Sequence, residues 1–132
     1  MSAAQDAAPT DLTAIIEKGD LKKGAKLFKK CKACHQVGEK AKHKVGPQLN
    51  GLFDRPFAEA EGFKKYSKAF KSKKEAEPDF AWTEETLGDF LKKPKKYIKK
   101  TKMSFAGFRK DKDIVNILAY LAQYGVDGVK AE

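Results

Sequence analysis

The two cysteines of this chain stand three residues apart, and a histidine follows directly, in the string Cys31-Lys32-Ala33-Cys34-His35. Two thiols at this spacing can each add to one vinyl group of a porphyrin, because one helical turn spans the distance between the vinyls. The histidine then lies beneath the iron and supplies an axial nitrogen. The spacing therefore predicts one covalently attached c-type haem, with Cys31 and Cys34 forming the two thioethers and His35 binding the iron.

Two other interpretations of the cysteine pair stay open beside this one. A redox-active dithiol of the thioredoxin type is expected in a βαβ context, and no run of alternating residues long enough for a sheet is visible. A structural zinc site needs four ligands. Cys31, Cys34, His35 and His43 are numerically sufficient, but their spacing matches no zinc-finger pattern.

The second axial position of the iron decides between classes of function. A methionine thioether suits electron transfer, whereas an open position suits ligand binding or peroxidase chemistry. The chain has two methionines, Met1 in a small polar tail and Met103 shortly before the last predicted helix. Met103 is the favoured ligand, with His43 or a simple core-filling role for Met103 as alternatives. Neighbouring lysines are further alternatives that must first lose a proton: Lys95, Lys96, Lys99, Lys100 and Lys102.

Length and composition limit what the polypeptide can form without help. The 132 residues suffice for one domain and carry a net charge of +10. Leu, Ile, Val and Phe make up roughly a fifth of the residues, close to the level at which highly charged chains stay disordered. No apolar run reaches the length of a membrane span, and two cysteines cannot make a disulfide scaffold. We therefore expect the porphyrin to complete a core that is otherwise sparse.

The hydrophobic pattern predicts an all-α protein with long loops. Helices are expected over residues 12–16, 20–28, 83–93 and 111–124, the first of them as a short helix on the surface. Asp20 and Thr83 are suited to cap the second and third helices. Residues 36–82 show no sustained periodicity and are predicted to be mostly loop with short helical turns that wrap a ligand.

Basic residues are concentrated around the two predicted iron ligands. Residues 18–44 hold ten lysines against two acids, and residues 92–112 hold nine lysines and Arg109 against one acid. A positive face beside the haem would steer an acidic partner into encounter. A merely solvated surface is the simpler alternative. Nucleic-acid binding is disfavoured, because no recognisable motif accompanies the charge and only two arginines are present.

Further strings follow the cysteine motif in a fixed order, and together with it they span residues 19–124. They resemble class I cytochrome c, the mitochondrial-like type, and especially its small bacterial soluble electron carriers. The resemblance implies the cytochrome c fold, with about four to five helices, long loops around one haem, and crossing N- and C-terminal helices. The strings are Gly46-Pro47-Gln48-Leu49-Asn50-Gly51-Leu52-Phe53, Trp82-Thr83-Glu84-Glu85, Pro94-Lys95-Lys96-Tyr97-Ile98 and Thr101-Lys102-Met103.

The same resemblance implies a role for each matching residue. His35 and Met103 would be the axial ligands, and the Pro47 carbonyl would accept a hydrogen bond from the His35 ring. Arg55, Tyr66 and Trp82 would hydrogen-bond the inner haem propionate. Thr101 would be a buried polar partner on the Met103 side.

Two departures from the family pattern lie near Met103. Lys99 and Lys100 stand where the family usually has Pro-Gly. We expect this segment to open more readily than usual, so that a nearby lysine replaces Met103 at moderately alkaline pH. Phe90 stands where a tyrosine is common, so one hydrogen bond near the methionine sulfur is expected to be missing.

The resemblance further implies a soluble one-electron carrier, and not an enzyme, that cycles Fe(III)/Fe(II) haem between membrane-bound redox complexes of a respiratory or photosynthetic chain. Its partners would be acidic docking faces of quinol–cytochrome c reductase and a terminal oxidase, with a reaction centre and a periplasmic dehydrogenase also open. A haem enzyme or gas sensor is the competing function. We expect a monomer without nucleic-acid binding or stable membrane insertion. The periplasm is the favoured compartment and the mitochondrial intermembrane space the alternative.

The expected organisation has three parts: residues 1–18 are an N-terminal extension, partly loose with a short helix. Residues 19–125 form the cytochrome c domain, and residues 126–132 are a C-terminal tail.

Overall fold

The computed structural model describes residues 12–53, 55–60 and 62–130. Within these ranges the chain forms six helices and no β-strand, which confirms the all-α prediction. None of these helices combines the length and the apolar composition that crossing a bilayer requires. The helices are α1 (Leu12–Lys18), α2 (Leu21–Phe28), α3 (Lys68–Ala76), α4 (Glu84–Lys92), α5 (Pro94–Tyr97) and α6 (Asp111–Ala122).

Local sequence signals fix the starts of α2 and α4. The Asp20 carboxylate accepts a hydrogen bond from the Lys23 backbone N–H at 3.1 Å. Thr83 and Thr86 form a reciprocal capping box, in which each side-chain oxygen accepts from the other residue's backbone N–H. Both predicted caps are therefore present, and each satisfies a helix N–H that would otherwise lack a partner.

The crossing of α2 and α6 depends on a residue without a side chain. A β-carbon at Gly24 would lie 2.7 Å from the β-carbon of Tyr120, so only glycine permits this approach. One turn further on, the rings of Phe28 and Tyr120 pack with centroids 5.3 Å apart. Ile117 is fully buried beside them. The predicted contact between the first core helix and the last helix is thus confirmed.

Helix α1 is more deeply packed than the expected surface helix. It lies against α6, and Ile15 is only 3% exposed within the core. Gly19 ends the helix close to α6, where a β-carbon would lie 2.8 Å from the Val115 carbonyl oxygen. Lys18 forms an exposed ion pair of 2.9 Å with Glu84 on α4. Residues 1–11 of the predicted extension lie outside the described residues.

Helix α3 falls within the stretch that was expected to be mostly loop. Ser67 caps it by accepting from the Phe70 N–H at 3.2 Å, and no residue of the helix is fully buried. Phe70 attaches the helix to the core by stacking on Phe57, with ring centroids 5.1 Å apart. One apolar anchor gives no helical periodicity, which is why the hydrophobic pattern missed this element.

The residues after α6 return to the first half of the chain. Tyr124 and Lys130 form an isolated antiparallel bridge, and the Gly125 N–H donates to the Val129 carbonyl at 3.2 Å. Gly128 has a positive φ and lies directly against the Gly38 backbone. Residues 131–132 of the predicted tail lie outside the described residues.

Candidate functional site

One cavity of about 410 Å³ brings together side chains from segments that are far apart in the sequence. Its wall is mainly apolar, with residues such as Leu52, Leu91 and Ile117 from separate elements. Every residue predicted to hold the haem or its iron lines this cavity. They are Cys31, Cys34, His35, Pro47, Arg55, Tyr66, Trp82, Thr101 and Met103.

The cysteine motif continues from α2 as a tight turn. The Cys31 N–H donates to the Phe28 carbonyl at 2.8 Å, and the Cys34 and His35 N–H groups both donate to the Cys31 carbonyl, at 3.0 and 2.8 Å. The turn places both thiols and the imidazole in the wall of one cavity. The two cysteines are not joined by a disulfide.

Burial, together with a smaller effect of the neighbouring Cys34, raises the pKa of the Cys31 thiol to about 11, although Lys30 acts in the opposite direction. Reactive dithiols need the opposite shift, since the thiolate is the nucleophile. The environment of Cys31 therefore argues against a redox-active dithiol.

The His35 ring is held by a hydrogen bond to the backbone of Pro47. Its Nδ1–H donates to the Pro47 carbonyl oxygen at 2.8 Å, which leaves the lone pair on Nε2 available. Burial lowers the pKa of His35, although the bond to Pro47 opposes this effect and the nearby Arg55 adds to it. The neutral ring is the form that binds a metal.

Arg55 contributes a half-buried cation to the cavity wall. The Arg55 Nη1 donates to the Gln48 carbonyl at 2.7 Å, and burial lowers the pKa of its guanidinium. Among the described residues no carboxylate pairs with it. The Tyr66 hydroxyl accepts from the Ala60 N–H at 2.9 Å and keeps its own hydrogen for a further acceptor.

Trp82 supplies a donor that the polypeptide leaves unsatisfied. The residue is only 6% exposed, and its ring packs edge-on against Phe57 and tilted against Phe90. Its indole N–H has no hydrogen-bond acceptor in the described part of the chain. A buried donor without a partner costs about 1–3 kcal/mol, so an acceptor from outside the polypeptide is expected here. An apolar porphyrin with ionised carboxylates fits both this donor and Arg55.

The segment between α5 and α6 also contributes to the cavity wall. Met103 is half-buried in the cavity wall, and its N–H donates to the Thr101 hydroxyl at 3.3 Å. Lys100 just before it has a positive φ of 65°, in the left-handed region that favours glycine. Phe90 also lines the cavity and presents no hydroxyl there.

Of the competing ligands named from the sequence, all but Lys102 lie outside the cavity wall. His43 does not line the cavity. Its Nδ1 accepts a hydrogen bond from the Gln48 N–H at 3.2 Å, and its ring centroid lies 5.3 Å from that of Phe63. Of the alternative lysines only Lys102 lines the cavity. The described residues contain no cluster of three or more His, Cys, Asp or Glu side chains able to hold a metal ion, so the zinc interpretation finds no support.

Apart from Tyr66, sequence reasoning missed the contribution of residues 63–70 to the cavity. Phe63, Lys65, Ser67 and Phe70 all line it. Residues 64–74 hold six lysines and no acid, which was an available signal for a third basic surface. Lys65 lines the cavity together with Lys30 and Lys102, so basic residues come from all three lysine-rich stretches.

Comparisons with known proteins agree with this geometry. The model of the cytochrome c family matches residues 21–124. Cytochrome c-554 of Methylosinus trichosporium is 45% identical over 115 residues, covering 87% of this chain and 83% of that protein. Cytochrome c2 of Afifella marina is 45% identical over 106 residues, covering 80% and 83%. Cytochrome c-550 of Nitrobacter winogradskyi is 44% identical over 115 residues, covering 86% and 100%.

Proposed function

Because this chain belongs to the cytochrome c family of haem electron carriers, with one haem c bound through its two cysteines, we propose that it shuttles single electrons between membrane-bound redox complexes. These complexes would belong to a respiratory or a photosynthetic electron-transport chain. The observation that carries this proposal is the shared cavity, whose wall includes both His35 and Met103 from segments far apart in the sequence. When bound, the haem supplies a reversible one-electron couple between ferric and ferrous iron.

In this proposal His35 and Met103 would hold the iron of the haem. The Pro47 carbonyl holds the His35 ring in one tautomer and increases its basicity, which strengthens the bond to the metal. The thioether of Met103 would be the second protein ligand, a donor that raises the reduction potential of haem iron. With two protein ligands the iron would offer no position to a substrate, so the protein would act as a carrier and not as an enzyme.

Arg55, Tyr66 and Trp82 would bind the inner haem propionate. Their support is the chemistry of the wall: a buried guanidinium, a hydroxyl hydrogen and an unsatisfied indole N–H all line the same cavity. A buried carboxylate requires donors of this kind. Thr101 would stabilise the turn before Met103 by accepting its N–H.

The partners would dock on the lysine-rich face where Lys30, Lys65 and Lys102 line the cavity. We propose the acidic faces of a quinol–cytochrome c reductase and a terminal oxidase, with a reaction centre or a periplasmic dehydrogenase as further partners. Such complexes are small and short-lived, because a carrier must leave after each transfer. The carrier would be a soluble monomer in the periplasm, or alternatively in the mitochondrial intermembrane space, without nucleic-acid binding or membrane insertion.

Stopped-flow electron transfer to an acidic redox protein tests the proposal across ionic strength. Lys65→Gln and Lys22→Gln remove the same charge, but only Lys65 lines the cavity, whereas Lys22 is exposed on α2. We expect Lys65→Gln to slow transfer more at low salt and the difference to vanish at high salt. A rate independent of salt would contradict steering. Fast carbon monoxide binding to the reduced native protein would instead favour a haem enzyme or sensor.

A further inference from the structure

Lys73 is the lysine of α3 whose ammonium lies over aromatic rings, whereas the partly buried Lys74 pairs with Glu59. The Lys73 side chain is 16% exposed, whereas Lys68 and Lys71 are exposed. The Nζ lies 4.2 Å from the ring centroid of Phe80 and 5.5 Å from that of Tyr97. A cation so placed is attracted by both rings, and the attraction grows as the cation loses water.

Glu77 completes the environment of this cation. Its carboxylate lies 2.8 Å from the Lys73 Nζ, one turn further along the chain, and is itself 54% exposed. Because Glu77 remains solvated, loss of its partner would leave no buried unpaired charge. Removal of the Lys73 ammonium would therefore act mainly through its contacts with the rings of Phe80 and Tyr97.

The Tyr97 ring connects this cation to the segment that carries Met103. Tyr97 is the last residue of α5, and the chain beyond it passes through the buried Ile98 without helix or strand. The Thr101 N–H donates to the Ile98 carbonyl at 3.2 Å, and the Met103 N–H donates to Thr101. A displacement of the end of α5 would therefore reach Met103 through two consecutive hydrogen bonds.

The segment needs an anchor at this end because its own backbone is unfavourable. Lys100 adopts a left-handed conformation, which is unfavourable for a residue with a β-carbon. Local opening begins where the structure has little to hold it. Contacts that fix Tyr97 therefore compensate for the strain three residues later.

We propose that Lys73 is a positioning residue that clasps Tyr97 and Phe80 and so keeps the Met103 segment closed over the cavity. The contact of Lys73 with Tyr97 joins α3 to α5. α3 also contributes Phe70 to the cavity wall. The proposal rests on the proposed role of Met103 as an iron ligand, and it adds the residue that sets how often this segment opens.

Lys73→Met tests the clasp in the ferric holoprotein, because methionine keeps an unbranched apolar side chain and removes the cation. Lys71→Met on the exposed face of α3 is the matched control. We expect the Thr101 and Met103 amides to exchange about three- to tenfold faster in Lys73→Met, with no change in Lys71→Met or in the amides of α6. Lys73→Arg keeps a cation over both rings and should retain slow exchange.

The rate at which imidazole replaces the sixth ligand is the second measurement, and it should increase by a similar factor in Lys73→Met alone. Unchanged exchange in Lys73→Met, or an equal increase in α6, would overturn the clasp. The two proposals fail separately. Absence of the iron–sulfur charge-transfer band in the native protein would contradict Met103 as ligand, while amide exchange would still test Lys73.

Discussion

Gly46 lies against the face of the His35 ring, where a β-carbon would stand 2.7 Å from Nδ1 and 2.8 Å from Nε2. Gly46→Ala should therefore displace the imidazole and lengthen its bond to Pro47, at a cost of about 1–3 kcal/mol in the free energy of unfolding of the holoprotein. Urea unfolding and the reduction potential measure the two effects. Gly88→Ala is the control, since its β-carbon would make only an ordinary contact of 3.4 Å with Ile114 in mid-helix. Equal stability of the two variants would contradict the expectation.

Relief of backbone strain at Lys100 should stabilise the Met103 segment. Lys100→Gly is expected to raise its opening free energy by about 0.5–1 kcal/mol, because glycine adopts φ of 65° without penalty. Lys99 has no positive φ, so Lys99→Gly should lower the opening free energy of the segment, because glycine gives the open chain more conformational freedom. Thermal loss of the iron–sulfur charge-transfer band measures both variants.

The same band tests the expectation that a lysine replaces Met103 at moderately alkaline pH. The native band should disappear below about pH 10, since a nearby amine becomes available as it loses its proton. Lys100→Gly should shift this loss to higher pH, because a more stable segment opens less often. A native band that persists well above about pH 10 would contradict the expectation.

Trp82→Phe should remove a donor to a haem carboxylate while it keeps an aromatic ring. We expect a loss of about 1.5–3 kcal/mol in the stability of the holoprotein, as for a hydrogen bond to a charged group. Without the donor the pKa of the haem carboxyl rises, because the carboxylate form loses a hydrogen bond. Ionisation of this carboxyl lowers the reduction potential, so the fall in potential should occur at higher pH in the variant. Phe90→Leu, also in the cavity wall but without a polar atom, should change stability and leave this pH range in place.

Ile15→Ala should show that α1 belongs to the core. Ile15 is 3% exposed, so its truncation should cost about 2–4 kcal/mol in chemical unfolding. Leu21, which is 37% exposed at the start of α2, serves as the control, and Leu21→Ala should cost less than about 1 kcal/mol. Similar costs for both variants would mean that α1 adds little to the core.

Prevention of haem attachment should leave the chain without its native helical structure. Without the haem, the mainly apolar residues that line the cavity of about 410 Å³ would lose their packing partner, and the polypeptide has little other core to compensate. Circular dichroism of a Cys31→Ser/Cys34→Ser variant measures this. A native-like helical spectrum would contradict the expectation.

The parts of the fold that local signals determine were predictable from the sequence. Helices α2 and α4 carry both an apolar stripe and a capping side chain at Asp20 or Thr83, and α6 carries the stripe alone. Helix α3 was not predictable in this way, because Phe70 is held by rings that come from Phe57 and Phe90. Those contacts are tertiary and leave no periodic trace in the sequence.

The nine predicted site residues meet in one cavity because their segments match an ordered family pattern. Two features could not be predicted from that pattern. They are the left-handed backbone of Lys100 and the position of the Lys73 ammonium over two aromatic rings. Lys73 looks like any other lysine in a basic stretch. Only the folded arrangement separates it from Lys71.

The crossing of α2 with α6 also sets an order of events in the life of the chain. Gly24 and Phe28 find their packing partner only in Tyr120, near the end of the described chain. A growing polypeptide therefore cannot close this contact before α6 has been made, about a hundred residues after Gly24. Because the chain is expected to lack its native helices before the haem is attached, the crossing of α2 with α6 is a late contact, which forms over a haem already bound to Cys31 and Cys34.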